Sequence, residues 1–574
     1  MRRVVFLILF MLVSLATSAD PNVGPGGGGA TDVDDLRVAL AGLVLDESSD
    51  LERAISATPD GGTVELEARN YRLSKSVDVT ARTNLVIRGK VGTRFVLRFD
   101  PEGDVGDNAN GFKFVRCENI RLENLAFTTD RPVNASGRVA AVDAVSRTYD
   151  VRLDPAFPMT GREHILAVDT FDETGAPDYV LETFEERPLG ATYENLGART
   201  VRMKAPAGFD LAKLDVGHRI LFRHETSGNY VFSFNACRGV TLRDIEIERA
   251  MSAGTVISPP SANFTFERYN IRSPRGSTAL FAGNSDGIHI LGLSGRLVLR
   301  DCHFDGMGDD CLNIHGKGAV VKSYDEATGR VECTYRGHDR RERALPRHWA
   351  AAGDRVVVYD GTTLLKKGLV GVQSFPADGE MQIDPPEFKL SAGDILANEN
   401  VFASVRIDGC TFANNRARAL LLQTEDVMVE NCQFRGIALP AVLVAPDLAY
   451  WNEVGPSRDV TIRGCVFERC AVHPTHGGCL GAVAFKTTHG RAPEGTYPPG
   501  VHQNARIVGN RFVDCPRGSV FLASVKGGEV RDNEVVRCGG TCPTCVSCAE
   551  IDLSQNFLRG IDVKEKIGII TNNL

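Results

Sequence analysis

One phrase recurs along this chain and limits what it can fold into: an alternating apolar run, then Cys or Asn, one further residue, and a Phe or aliphatic. It reads "ENIRLENLAF" to residue 127, "RGVTLRDIEI" to 247, "ANFTFERYNI" to 271 and "GRLVLRDCHF" to 304. It returns as "SVRIDGCTF" to 412, "EDVMVENCQF" to 434, "RDVTIRGCVF" to 467, "ARIVGNRF" to 512 and "GEVRDNEV" to 535. Intervals of 22 to 24 residues separate Ile247 from Ile271, Phe412 from Phe434 and Phe512 from Val535, and longer intervals contain loops. A unit of this length with period-two alternation cannot bury its apolar face alone, so the units must stack. The pattern predicts an all-β, right-handed parallel β-helix.

Two blocks interrupt the repeat. Residues 128–229 and 317–400 are rich in short alternating strands with Gly/Asp turns, such as "GRVAAVDAVSRTYDVRL" and "GDRVVVYD". Each reads as a small antiparallel β-barrel inserted into a coil. "DLERAISA", at about 50–57, predicts a short amphipathic helix that caps the open end of the solenoid and shields its edge strands.

The chain starts "MRRVVFLILFMLVSLATSAD", with two arginines, an apolar run and small residues near 16–19. That run is too short to span a bilayer and predicts a secretory signal peptide over 1–19. The product is then secreted or periplasmic and is free of the membrane after cleavage. The expected organisation is the signal peptide, a linker over 20–48, β-helix coils over 49–127, the first barrel over 128–229, central coils over 230–316, the second barrel over 317–400, and terminal coils over 401–574. With a net charge of −8 and no block of Lys or Arg, nothing points to nucleic acid.

Fifteen cysteines stand in this exported chain. Cys302, Cys410, Cys432 and Cys465 share the place two before the Phe that ends a coil, where Asn510 and Asn533 stand in later coils. Stacked side chains run parallel to one another, which suits disulfide geometry poorly, so these read as buried free thiols. The tail "CGGTCPTCVSC" (Cys538, Cys542, Cys545, Cys548) reads instead as a disulfide cluster closing the end of the helix, with zinc as the alternative.

The chemistry concentrates in "NSDGIHI" at 284–290 and "GMGDDCLNIHG" at 306–316. On a stacked solenoid these turns bring Asp286 beside the pair Asp309–Asp310. An isolated Asp in a turn is commonly a backbone-bonding residue. Three together repel, which raises a carboxyl pKa as a general acid requires. Inverting glycosidases space acid and base about 6.5–9.5 Å apart to admit a water, a separation that neighbouring coils can supply. Asp286 is the expected acid, with Asp309 and Asp310 positioning the water. Inward-facing Leu312 and Ile314 leave Asn313 and His315 on the outer side, where they are candidate substrate-binding residues. His289 also faces outward, as a solvated or a groove residue. Arg416, Arg418, Asp447, Trp451 and Glu453 are further substrate-binding candidates, as forks and an aromatic platform for a sugar.

"SDGIHI…GMGDDCLNIHG", "NNRARALLLQTEDVMVENCQF" and "AYWNEVGPSRDVTIRGCVF" together resemble glycoside hydrolase family 110, the exo-acting α-1,3-galactosidases. The resemblance spans most of residues 49–540 and includes both interruptions. It implies metal-independent, inverting hydrolysis of terminal α-1,3-linked galactose, with Asp286, Asp309 and Asp310 in the catalytic site. Galactose-terminated oligosaccharides or glycoconjugates would be the substrates, and no cofactor or metal is expected. "NSDGI…GDDC" is more distantly similar to the polygalacturonases of glycoside hydrolase family 28, whose later Gly-His-Gly and Arg-Ile-Lys signatures are absent here. Two departures from family 110 are the cysteine-rich tail and "DDC", which puts Cys311 at the edge of the site. A polygalacturonase-like hydrolase, a polysaccharide lyase and a non-catalytic glycan-binding β-helix are the alternatives on the same fold.

Overall fold

A computed structural model describes residues 46–570, except 104–107, 160–162, 174, 183–192, 206–208, 225, 227, 337–340, 449–450, 474–479, 488–496, 541–542 and 560–568. The signal peptide, most of the linker, and Cys542 lie outside the described residues. Within them the protein is a parallel β-helix, and no helix is long and apolar enough to cross a membrane.

Each coil contributes one strand to a long sheet and two successive strands to another. One turn of the solenoid runs Leu420–Leu422, Glu425–Glu430, Gln433–Arg435, and the next runs Val442–Val444, Arg458–Arg463, Val466–Glu468. The two turns pair in parallel register, with Leu420 against Val442, Val427 against Val460 and Phe434 against Phe467. Alternate residues point into one continuous core. Phe304, Phe412, Phe434, Phe467 and Phe512 stack within it, with successive ring centroids 5.5, 5.0, 4.6 and 4.8 Å apart.

The corner between the paired strands is built by a residue with positive φ immediately before the ladder position. Asp301, Gly409, Asn431, Gly464, Gly509 and Asp532 all take it, with φ between 53° and 66°. Gly, Asn and Asp visit this region at least cost, which explains their recurrence there. The next side chain turns inward: Cys302, Cys410, Cys432 and Cys465, then Asn510 and Asn533. The asparagines bond along the axis, Asn510 Nδ2 to Asn533 Oδ1 at 3.0 Å and Asn533 Nδ2 to Asn556 Oδ1 at 3.1 Å.

All thirteen described cysteines are free thiols. For the tail this corrects the expectation of bridging at Cys538, Cys545 and Cys548. Cys538 and Cys548 follow residues with positive φ, Arg537 and Ser547, at the two other corners of the coil: Cys538 after the strand Glu534–Val536, where Cys470 and Cys515 stand in earlier coils, and Cys548 after Thr544–Val546, where Cys117 and Cys237 stand. The helical repeat continues through the tail, and stacked corners hold their thiols side by side.

The N-terminal helix spans Ser48–Ala57 and places Leu51 and Ile55 in the solenoid core. The first interruption is an antiparallel sheet of seven strands from Asn134–Asp143 to Arg219–His224, with its own core. Among the described residues its edge strands, Pro177–Glu182 and Tyr193–Gly197, do not pair with each other, so it is an open sheet there. The second interruption starts at Gly316–Asp325, directly after the strand Leu312–Ile314. Six of its strands pair in a closed antiparallel ring around a separate apolar core.

Candidate active site

Two stacked turns build the site. Parallel pairing sets Ile288–Ile290 on Leu312–Ile314, and the turns that precede these strands stack with them. Gly308 N donates to Gly283 O at 2.8 Å, Asp309 N to Ser285 O at 3.3 Å and Gly287 N to Asp310 O at 2.8 Å. Two glycines permit this contact. A Cβ on Gly287 would meet Cys311 O at 2.4 Å, and one on Gly308 would meet Asn284 O at 2.3 Å.

The stacking gathers Asp286, Asp309 and Asp310, so that one oxygen from each lies within 4.8 Å of the others. Between these nearest oxygens the spacing is shorter than the ~6.5–9.5 Å expected of an acid and base flanking a water. It is the span of one water bridging two carboxylates through bonds of about 2.8 Å. Their surroundings differ. Asp286 is buried; its Oδ2 pairs with His289 Nδ1 at 2.5 Å and its Oδ1 accepts Asp310 N–H at 3.0 Å. Asp310 is buried, and Arg418 donates to it from Nε at 2.7 Å, from Nη2 at 3.0 Å and from its backbone N at 3.0 Å. Asp309 has the most open side chain, 31% exposed against 8% for Asp286 and 1% for Asp310.

Burial raises the Asp286 carboxyl against the opposing charge of His289. Burial also drives Asp310 up to about 7 despite Arg418, with Asp309 pushing the same way. Near neutrality the cluster therefore holds a proton, which belongs to the coupled group. Burial works against a charge on His289, yet Asp286 outweighs it and lifts the imidazole to about 9.

His289 was ambiguous in the sequence and proves to face the groove; the signal was its place three residues after Asp286. Its Nε2 meets His315 Nε2 at 3.2 Å. His315 Nε2 stands 3.4 Å from Glu453 Oε1, and Gln423 Nε2 donates to Glu453 Oε2 at 2.9 Å. Gln423 carried no sequence signal, since its role comes from lying on the coil beyond Ile314. Glu453 reaches the site because Glu453–Val454 pairs antiparallel with Gly316 and Lys317 at the start of the second insertion. Asp447 joins this hairpin through its backbone, exchanging two hydrogen bonds with Glu453, and Trp451 on the same hairpin is 37% exposed. Asn313 lies between His289 and Leu421 in the parallel ladder, nearly buried.

Arg416 is corrected: its guanidinium is committed away from the sugar. It is buried, its Nε pairs with Asp169 Oδ1 at 3.0 Å, and its Nη1 donates to Gly308 O at 3.3 Å. Asp169 also takes Arg223 Nε at 3.0 Å, and Arg223 Nη1 donates to Asn284 O at 3.0 Å and Gly308 O at 3.3 Å. The first insertion thus clamps both aspartate turns from behind. Cys311 is likewise not in the groove, because its side chain belongs to the solenoid core.

No protein-family model matches the chain. It is 24% identical over 480 residues to alpha-1,3-galactosidase B of Bacteroides thetaiotaomicron, covering 78% of this chain and 76% of that protein. It is 25% identical over 483 residues to alpha-1,3-galactosidase A of Shewanella woodyi, covering 80% and 74%. To the Streptomyces avermitilis alpha-1,3-galactosidase A it is 25% identical over 608 residues, covering 94% and 92%. Among solved structures, a Yersinia enterocolitica family 28 exopolygalacturonase aligns at a TM-score of 0.39 with 11% identity, covering 89% of this chain and 77% of that one. The catalytic domain of a family 87 alpha-1,3-glucanase aligns at 0.40 with 9% identity, covering 96% and 70%. Similarity to glycosidases over most of the chain, joined to three carboxyls in one groove of a parallel β-helix, makes this a glycoside hydrolase. The curated relatives named here are all alpha-1,3-galactosidases.

Proposed function

We propose that the protein is an exported exo-glycosidase that removes terminal α-1,3-linked galactose from oligosaccharides or glycoconjugates, with inversion at the anomeric carbon. The observation that carries this reading is the three-carboxylate cluster, in which two buried members are each tied to a cation and the third is open. Export rests on the first 19 residues, and galactose rests on the relatives' names.

Asp286 and Asp310 hold a water between them as carboxylates steadied by His289 and Arg418. Asp309, the carboxyl with the widest access, delivers the cluster's proton to the glycosidic oxygen. This exchanges the donor role expected of Asp286 in the sequence, because both Asp286 oxygens are occupied by donors. The water attacks C1 from the face opposite the leaving group and gives its proton to the Asp286–Asp310 pair as the glycosidic bond breaks. His315, Asn313, Glu453 and Trp451 supply hydroxyl contacts and a platform along the groove. Acid and base are both carboxyls, so EDTA should leave the rate unchanged; loss of activity restored by calcium would favour a lyase. Incubation with linear and fucose-branched α-1,3-galactosides, followed by proton NMR, tests the reaction. β-Galactose should appear first, and an α-anomer would overturn inversion.

A further inference from the structure

Parallel pairing sets five residues in one column across the site. Val231 N donates to Ala253 O at 3.4 Å, Gly254 N to Asp286 O at 3.0 Å, Gly287 N to Asp310 O at 2.8 Å and Cys311 N to Arg418 O at 3.1 Å. Each donor is the residue after the one that stacks on the acceptor, so Tyr230, Ala253, Asp286, Asp310 and Arg418 succeed one another along the solenoid axis. The strands that follow keep this register, with Phe232 on Thr255, Thr255 on Ile288, Ile288 on Leu312 and Leu312 on Leu420. Coils about 4.8 Å apart put the Tyr230 backbone roughly 10 Å from that of Asp286. Ala253 between them carries only a methyl group. On the flank of Asp286 away from Arg418, the next larger side chain of this column is therefore Tyr230.

Tyr230 lies where the chain returns from the first insertion, ahead of the strand Phe232–Asn235. Its backbone is fixed: its N–H donates to Asn110 Oδ1 at 2.7 Å, and its carbonyl accepts Gly111 N–H at 3.0 Å. The side chain is half-buried, and its hydroxyl meets no hydrogen-bond partner among the described residues. Asp286 does not take that hydroxyl, being engaged at one oxygen by His289 and at the other by Asp310 N–H. Burial, and then the negative charge of Asp286, holds the phenol above its ordinary range, so it keeps its proton wherever the carboxyls work. A phenol of this kind offers an apolar ring and an uncommitted hydroxyl, the two faces a sugar needs. We infer that Tyr230 contacts the substrate: its ring bounds the sugar site on the flank of Asp286, and its hydroxyl bonds a hydroxyl of the terminal galactose across the space left by Ala253. The inference rests on the galactosidase reading above.

Tyr230→Phe, which deletes one oxygen, and Tyr230→Ala are compared with the unaltered chain for melting temperature, kinetics on an α-1,3-linked galactobioside, and competitive inhibition by free galactose. A neutral hydrogen bond made alike in substrate and transition state predicts that Tyr230→Phe raises KM, and Ki for galactose, by about 3–10-fold with kcat nearly unchanged. Tyr230→Ala also loses the ring and should raise both by at least about 30-fold. The isosteric Phe variant should keep its melting temperature and its pH–rate profile, which keeps the test valid where Tyr230→Ala fails to fold. Unchanged KM and Ki in the Phe variant would mark a solvated phenol only and overturn the contact. A displaced pH–rate profile at unchanged KM would overturn it too, since Tyr230 would then act through Asp286. An unaltered chain that releases no galactose overturns the galactosidase reading and this inference together, whereas an active chain indifferent to the Phe variant overturns the inference alone.

Discussion

At the scale of single residues, the three aspartates differ in what they touch, so their substitutions should not behave alike. Asp286→Asn, Asp309→Asn and Asp310→Asn should each lower turnover on a natural galactoside by about 10²–10⁴-fold while remaining folded. A nitrophenyl leaving group departs without a proton and should rescue Asp309→Asn in part, but neither of the others. Rescue of Asp286→Asn instead would return the donor role to Asp286. The base limb follows Asp310: burial raises it to about 7, it becomes the carboxylate that takes the water's proton only above that point, and kcat/KM should rise through about pH 7. Arg418→Gln removes the cation that favours ionised Asp310. The carboxyl then keeps its proton longer, and the rising limb of the pH–rate profile should move to higher pH.

At the scale of elements, the first insertion acts on the site without lining it. Asp169 lies on its strand Ile165–Phe171, yet it neutralises two buried arginines that grip the carbonyls of Asn284 and Gly308. Asp169→Asn removes the carboxylate that both arginines share, a loss of about 3–5 kcal/mol for a broken buried pair. Displacement of the turns by about 1 Å should also lower kcat by about 10²-fold. Thermal melting and steady-state kinetics on the variant check both effects, and a normal kcat would show that the clamp is purely structural. Gly287→Ala should be destabilising by about 1–3 kcal/mol, since its Cβ would overlap the next coil at Cys311 O. Denaturant unfolding measures it.

At the scale of the whole molecule, the solenoid repeats its corners from coil to coil, and most of its cysteines follow from that repetition rather than from cross-linking. Alkylation of the unfolded, unreduced protein followed by mass mapping should find the thirteen described cysteines labelled. A bridge between Cys410 and Cys432 would overturn the stacking argument, and bridges among Cys538, Cys545 and Cys548 would show that the tail leaves the repeat.

Much of this architecture was legible in the chain because its interactions recur at fixed short intervals. Alternation told which residues face inward, the shared place of Cys or Asn two before the coil-ending residue marked the ladder, and a spacing near one coil put Asp286 beside Asp310. The same alternation identified the outer face of His315 and Asn313. It could not say what stands opposite a side chain that leaves the coil. Arg416 looked like a sugar fork until Asp169, 247 residues away in sequence, was seen to hold it. His289 gained a role only when His315 and Glu453 came against it, the latter carried there by pairing with the second insertion. Local periodicity alone determined the solenoid, its ladders and the neighbouring aspartate turns. The orientation of the charged groups around them was decided by tertiary contact, because a buried charge points to whichever opposite charge or carbonyl the fold brings within reach.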